Sequence, residues 1–262
     1  MSEDNALLYE VENHVGVITL NRPEAMNSLT YQLYADLEDT VRASTARVLV
    51  ITGNGRAFCA GDDVKQILGS SAPAPAEFRD RAKATGGLTP AADALLHTDI
   101  PVIAAINGPA VGWGMELALM ADLRVASKNA KFGELFVIRG LCCDAPGLGR
   151  LAQLVGREKA AELLFTGDIV DAQTAQQIGL VGRCVPHEEL MPTALELAHK
   201  IAQNPPLAVQ ALKAGLRRTV EPDWRDTGRW AIEQITRLRA TEDSKEGVAA
   251  FLEKRAPVYQ GR

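Results

Sequence analysis

The stretch Pro101-Val-Ile-Ala-Ala-Ile-Asn-Gly-Pro-Ala-Val-Gly-Trp-Gly-Met-Glu-Leu-Ala-Leu-Met120 decides the fold. It opens as an unbroken apolar run, passes through a turn rich in glycine, and closes on a helix-forming segment with a single acid, Glu116. Its apolarity raises the question of a membrane span, but Asn107, Pro109, three glycines and Glu116 interrupt it. The reading is a buried strand over 101–106, a turn, a helix over 111–120, and a further strand over 123–127.

Upstream lies a similar arrangement. Residues 7–12 and 15–20 are two β-rich runs joined by Asn13-His14, which predicts an opening hairpin. Thr30 then caps a helical pattern with Leu33, Leu37 and Val41 at spacings of four. The apolar strand 47–52 ends in Gly53-Asn-Gly-Arg-Ala-Phe-Cys-Ala-Gly-Asp-Asp63. Together these read as a β-β-α-β unit that returns in looser form around the opening stretch. Between the two, 70–87 reads as a mobile excursion suited to a lid or pocket wall, before a helix running towards His97. After Leu148 the pattern is helical almost throughout, punctuated by Gly156, Gly167, Gly179 and Pro205-Pro206. The first two-thirds are therefore expected to be α/β and the last third α.

The 262 residues are 47% hydrophobic and 23% charged, enough to bury a substantial core. A net charge of -5 argues against nucleic acid or an anionic membrane as partner. From Gln203 onward, however, 11 Lys and Arg face 8 Asp and Glu, so a phosphate would find its local attraction there. Cys59, Cys142, Cys143 and Cys184 have no paired-ligand spacing, and no disulfide framework or metal site is expected. His14, His97, His187 and His199 are scattered without triad spacing, and each reads as structural. Trp224 and Trp230 read as core or interface. There is no Gly-x-Gly-x-x-Gly turn after a strand and no Walker loop, so a nucleotide site has no support. The N-terminal residues have no basic region and no long apolar run, so no targeting peptide is read and a cytoplasmic protein is expected.

The two glycine-containing turns, 57–63 and 106–116, each follow an apolar strand. The second opens a helix whose first amides are unsatisfied, and two N–H groups converging from such turns would form an oxyanion hole. At these residues the sequence resembles the enoyl-CoA hydratase/isomerase (crotonase) superfamily. The resemblance covers nearly the whole chain: Leu20-Asn-Arg-Pro-Glu-Ala-Met-Asn-Ser-Leu29, Ala57-Phe-Cys-Ala-Gly-Asp-Asp63, Pro101-Val-Ile-Ala-Ala-Ile-Asn-Gly-Pro109, Met115-Glu-Leu-Ala-Leu-Met-Ala-Asp122, Leu164-Phe-Thr-Gly-Asp168 and Phe251-Leu-Glu-Lys-Arg255. It implies an α/β fold built as a spiral of β-β-α units over 1–200. A helical region over 201–262 would serve oligomerisation, as a homotrimer or dimer of trimers, and contact coenzyme A. The implied ligand is an acyl-CoA thioester, with no cofactor beyond the coenzyme A that the substrate carries.

By the same resemblance, the thioester oxygen is held by the backbone amides of Asp62 and Trp113. Ala25, Ala60, Gly61, Asp63, Val64, Gly112 and Phe136 contact the substrate. Hydratases of the superfamily pair two glutamates across the double bond. Glu116 matches the first, three residues beyond Trp113 and on the same helical face, whereas the second position is Phe136, which moves no proton. Glu134, two residues away, is expected to point elsewhere. Asp144 matches an aspartate that works in dienoyl-CoA isomerases, aryl-CoA dehalogenases and naphthoyl-CoA synthases; the alternative is that it caps the following helix, 147–155. The expected chemistry is stabilisation of a thioester enolate, with Glu116 and Asp144 shuttling a proton and isomerisation favoured over hydration because of Phe136. The alternatives are hydrolase or dehalogenase chemistry at Asp144, and an acyl-CoA binding protein without catalysis.

Overall fold

The central strand β3 (Val48–Gly53) has Val48 and Val50 on one face and Leu49 and Ile51 on the other, all buried, because the sheet it belongs to is covered on both sides. The computed structural model describes residues 6–69, 72–221 and 223–262. Residues 1–5, and the first two residues of the excursion read at 70–87, lie outside them. The other strands are β1 (Leu7–Glu12), β2 (Val15–Leu20), β4 (Val102–Ile106), β5 (Pro109–Val111), β6 (Leu123–Ser127), β7 (Lys131–Gly133), β8 (Val170–Asp171) and β9 (Arg183–Val185). The helices before the chain midpoint are α1 (Tyr31–Ala43), α2 (Ala76–Ala84), α3 (Pro90–His97) and α4 (Trp113–Met120). Then come α5 (Ala145–Val155), α6 (Arg157–Thr166), α7 (Ala172–Gln177), α8 (Leu190–Ala202), α9 (Pro206–Val220), α10 (Trp224–Arg239) and α11 (Glu242–Glu253).

The main sheet runs in the order β1-β2-β3-β4-β6-β9, and every pair after the β1–β2 hairpin is parallel. Asn13 and His14 form the hairpin turn with positive φ at both positions, as a two-residue turn between right-twisted strands requires. A second layer takes one short segment from each turn of the chain: Leu29 bridges Asp62, Cys59 bridges Ala110, β5 pairs with β7, and β7 with β8. This stacking is the expected spiral.

Three elements differ from their expected bounds. The helix read at 111–120 starts at Trp113, because 109–111 is drawn into β5 by pairing with β7. The helix after Asp144 starts at Ala145. The segment read as helical after Leu148 contains β8 and β9, two and three residues long, too short for any periodicity to reveal. The stretch that raised the membrane question is β4, β5 and α4, and among the described residues no helix is long and apolar enough to cross a membrane.

Two cores sandwich the sheet. On one face α8 lays Leu190, Ala194, Ala198 and Ala202, one per turn, against Val48, Val50, Ile103, Ala105 and Val125. The other face carries the larger core, with Leu33, Leu37, Phe58, Leu95, Trp113 and Phe132. Two fully or nearly buried asparagines fasten the loop after β3. Asn27 donates to the carbonyls of Asn54 and Ala57 at 2.9 and 2.8 Å, and Asn107 to those of Gly55 and Ala57 at 2.9 and 3.1 Å. The motif asparagines thus position the 57–63 turn. The C-terminal helices are tied in by ions: buried Asp93 on α3 receives Arg42 from α1 at 2.9 Å and Arg225 from α10 at 3.2 Å. Arg150 on α5 meets Glu221 at 2.8 Å, and the Trp224 indole donates to the same carboxylate at 2.6 Å.

At the start of α4 the backbone passes directly over the 57–63 turn. A Cβ at Gly114 would lie 2.0 Å from the Cys59 carbonyl oxygen. Gly114→Ala is therefore expected to cost about 3 kcal/mol, the upper end of overpacking, and to lower Tm by roughly 6–12 °C. Calorimetry checks this, and an unchanged Tm would show that the two turns are not held in contact.

Candidate active site

The 57–63 turn and the β5–α4 turn meet edge to edge. Gly61 has φ +85°, and a Cβ there would stand 3.1 Å from the Trp113 nitrogen and 2.9 Å from the Val111 carbonyl, so no side chain fits. The neighbouring amide N–H groups of Asp62 and Trp113 donate to no acceptor among the described residues. Two free donors on adjacent turns are the arrangement expected of an oxyanion hole.

Two cavities, of about 600 and 590 Å³, share the walls formed by Asp62, Trp113, Phe136 and Leu141. The free amides therefore sit at the neck between them. The outer cavity is lined by Ala25, Ala60, Gly61, Asp63, Val64 and Gly112, six of the residues expected to contact substrate, with Arg22, Arg56, Lys65 and Arg139. Asp63 is held in place by Arg22 at 3.1 Å and accepts the Lys65 and Gln66 amides, opening a π-helical turn over Val64–Leu68. The inner chamber is aromatic and apolar, with Tyr31, Tyr34, Phe78, Ile67 and Ile235 on its walls. Helix α2, from the excursion read at 70–87, forms one of those walls.

The unusual side chains at the two oxyanion positions are accommodated by each other's surroundings. The Tyr34 hydroxyl donates to Asp62 Oδ1 at 2.6 Å, engaging the carboxylate away from its own amide. Burial raises the Asp62 pKa, while the Tyr34 hydrogen bond and Arg239 counter it. The Trp113 indole is 2% exposed and meets Tyr34 edge-on with ring centroids 4.6 Å apart. Its N–H makes no well-formed hydrogen bond among the described residues, yet it lies close enough to the Asp144 carboxyl to draw its pKa down.

Glu116 is wholly buried and lines neither cavity. Its two oxygens accept the backbone amides of Asp144 at 2.9 Å and Gly147 at 2.7 Å, so it closes the N-terminus of α5 from a neighbouring helix. Asp144 occupies the N-cap position of α5, but its side chain makes no capping bond. Its carboxyl faces the inner chamber, and burial, followed by the charge of Asp62, pushes its pKa up to about 7. The expected pair of Glu116 and Asp144 is brought together, with Glu116 beneath the wall and Asp144 on it.

Glu134, expected to point elsewhere, lines neither cavity, yet it is buried close enough to Glu116 and Asp144 to interact with them electrostatically. It is 1% exposed, and neither carboxyl oxygen has a hydrogen-bond partner among the described residues. Burial raises its pKa strongly, and the charges of Asp144 and Cys142 add to that. Glu134 in turn pushes up Glu116, after burial and ahead of Asp144. β7 ends at Gly133, so strand alternation does not extend over these residues: Glu134 is buried while Phe136 lines the cavities. Phe136 stands at the neck, lining both cavities. The histidines take no part: His97 pairs with Asp93, and His187 bonds Ser127.

A β-β-α spiral presenting two free amides at the neck of a divided cavity defines the crotonase class of acyl-thioester proteins. The comparisons agree. The family model described as enoyl-CoA hydratase/isomerase matches residues 10–262. The 2,3-dehydroadipyl-CoA hydratase of Escherichia coli (strain K12) is 39% identical over 98% of this chain and 99% of its own length. The (E)-benzylidenesuccinyl-CoA hydratase of Thauera aromatica is 40% identical over 96% and 98%. The crystal structure of carnitinyl-CoA hydratase from Mycobacterium avium superposes with a TM-score of 0.87 at 34% identity, covering 98% of this chain and 99% of that one. The chain belongs to the enoyl-CoA hydratase/isomerase family.

Because the folded-state pKa of Glu134 is raised, its contribution to stability is complete below the unfolded value of about 4.3 and is lost as pH rises through the folded value. Glu134→Gln keeps the shape without a charge. It is expected to raise Tm by roughly 2–6 °C at pH 8.5 and by much less at pH 5. Thermal melts at both values decide it, and a gain equal at the two would remove the buried titration from the account.

Proposed function

We propose that the protein moves a proton at the carbon next to the thioester of an unsaturated acyl-CoA, with Asp144 as the acid/base group. The observation that carries this reading is the position of the Asp144 carboxyl on the chamber wall beside the Trp113 turn, where burial pushes its pKa up to about 7. The coenzyme A moiety occupies the outer cavity among Arg22, Arg56 and Lys65, and the acyl group occupies the inner chamber. The thioester oxygen rests between the amides of Asp62 and Trp113, where negative charge develops as the enolate forms. Asp144 takes a proton from one carbon of the acyl group and returns it to another. Glu116 holds the Asp144 backbone and shares its proton balance.

Isomerisation of the double bond is the favoured outcome, since Phe136 puts an aromatic ring where a second acid would hold water. Hydration is the second reading, supported by the hydratase names of full-length relatives. The exposed leucines of α9, Leu207, Leu212 and Leu216, support assembly as a homotrimer or dimer of trimers.

Mass spectrometry of 2-enoyl, 3-enoyl and 3,5-dienoyl thioesters incubated in heavy water is expected to show deuterium uptake with a shifted double bond and no added water. Gain of one water would establish hydration instead. Asp144→Asn is expected to lower kcat/KM by ~100-fold or more, and the wild-type kcat/KM to rise with pH through about 7 as Asp144 ionises. Full activity in Asp144→Asn would sink the assignment.

A further inference from the structure

The inner chamber is apolar along most of its wall and cationic along one part of it. Helix α2 presents Arg79 and Lys83, one turn apart on one face. Helix α10 presents Arg229, Ile232, Glu233, Ile235 and Arg239 across from it. The Arg229 guanidinium lies against Gly86, 3.3 Å from where a Cβ there would stand, at the link between α2 and α3. Arg239 reaches the Ile67 carbonyl at 3.2 Å and its charge is felt at Asp62 and Asp144, which places it towards the neck.

The remaining three cations are short of anions. Arg79 and Lys83 have no ion pair and no side-chain hydrogen bond among the described residues. Arg229 has a single partner, Asp226, at 3.1 Å on its own helix. Glu233 is the one carboxylate lining the chamber on this side; Asp62 and Asp144 belong to the neck. All three are solvent-exposed at the edge of the chamber, the Arg229 side chain 56% so, where a plain hydrocarbon chain offers them no partner and a terminal carboxylate would.

We propose that the acyl group bound in this chamber carries a second, distal carboxylate, and that Arg79, Lys83 and Arg229 receive it. The inference rests on the assignment of the inner chamber to the acyl group and names its chemical class: a mono-CoA thioester of a dicarboxylic acid, with an apolar or aromatic body between the thioester and the free acid. Tyr31, Tyr34 and Phe78 pack that body, and α2 and α10 close on its charged end. Because the cations are partly solvated, the discrimination is moderate and screened by salt.

The test is equilibrium binding of hexanoyl-CoA and of adipyl-CoA, which differ by the terminal carboxylate and contain no double bond to react. The expected result is about tenfold tighter binding of adipyl-CoA at low salt. That preference shrinks towards parity in 0.5 M salt and in the Arg79→Gln/Lys83→Gln double variant, with Arg229→Gln lowering it further. Equal affinities, tighter hexanoyl-CoA, or a double variant that weakens both ligands by the same factor would overturn the proposal. Failure of both thioesters to bind would overturn the acyl-CoA assignment and this inference together. Preferential binding of adipyl-CoA with no turnover of its 2-enoyl counterpart would leave this inference standing and remove only the proposed chemistry.

Discussion

The site depends on one buried carboxylate accepting two backbone amides. Glu116 belongs to α4, and the amides of Asp144 and Gly147 open α5, so this pair of bonds fixes how the two helices meet beneath the chamber. Hydrogen bonds of this kind contribute about 0.5–1.5 kcal/mol each, and here they also satisfy amides at the positive end of a helix dipole. They further settle what Asp144 does. A residue at the N-cap would ordinarily turn its side chain back onto the first turn. With Glu116 already filling that role, the Asp144 carboxyl is released to face the cavity.

The arrangement concentrates acids in and beside a buried wall. Burial raises the pKa of Glu116, Glu134 and Asp144; Glu134 and Asp144 then add to the rise at Glu116, Asp144 to that at Glu134, and Asp62 to that at Asp144, so the group holds protons more tightly than isolated carboxyls would. Asp62 adds a fourth charge, moderated by Tyr34 and Arg239. Trp113 and Phe136 line both cavities and set aromatic surface beside this group.

Much of the frame was legible in the chain. The hairpin, β3, β4 and β6 follow from β-rich and apolar runs and α1 from apolar residues at spacings of four, and the two glycine turns are visible as breaks after apolar runs. What pairing alone creates was not: β5, β8 and β9 are two or three residues long and exist because a neighbour offers its edge. Among site residues, the meeting of Asp62 and Trp113 and the proximity of Glu116 to Asp144 were read from motif resemblance. The burial of Glu134 was not, because it depends on where β7 stops. The structural duty of Asn27 and Asn107 was likewise hidden, since nothing local distinguishes an asparagine bracing a remote loop from one in a turn. The bonds they make to the Ala57 carbonyl, across 30 and 50 positions, are tertiary facts.

The strand order β2-β3-β4-β6-β9 follows the chain, each new strand joining the edge left by the one before. Such a sheet grows in one direction, and every added turn finds its template already assembled. For a polypeptide emerging from a ribosome this means that the growing edge is always the most recently made segment, and no earlier pair must reopen to admit a later strand. The chamber is completed last, because α10, which forms one of its walls, lies beyond β9 in the chain. The cavity therefore comes into being only after the main sheet has been laid down.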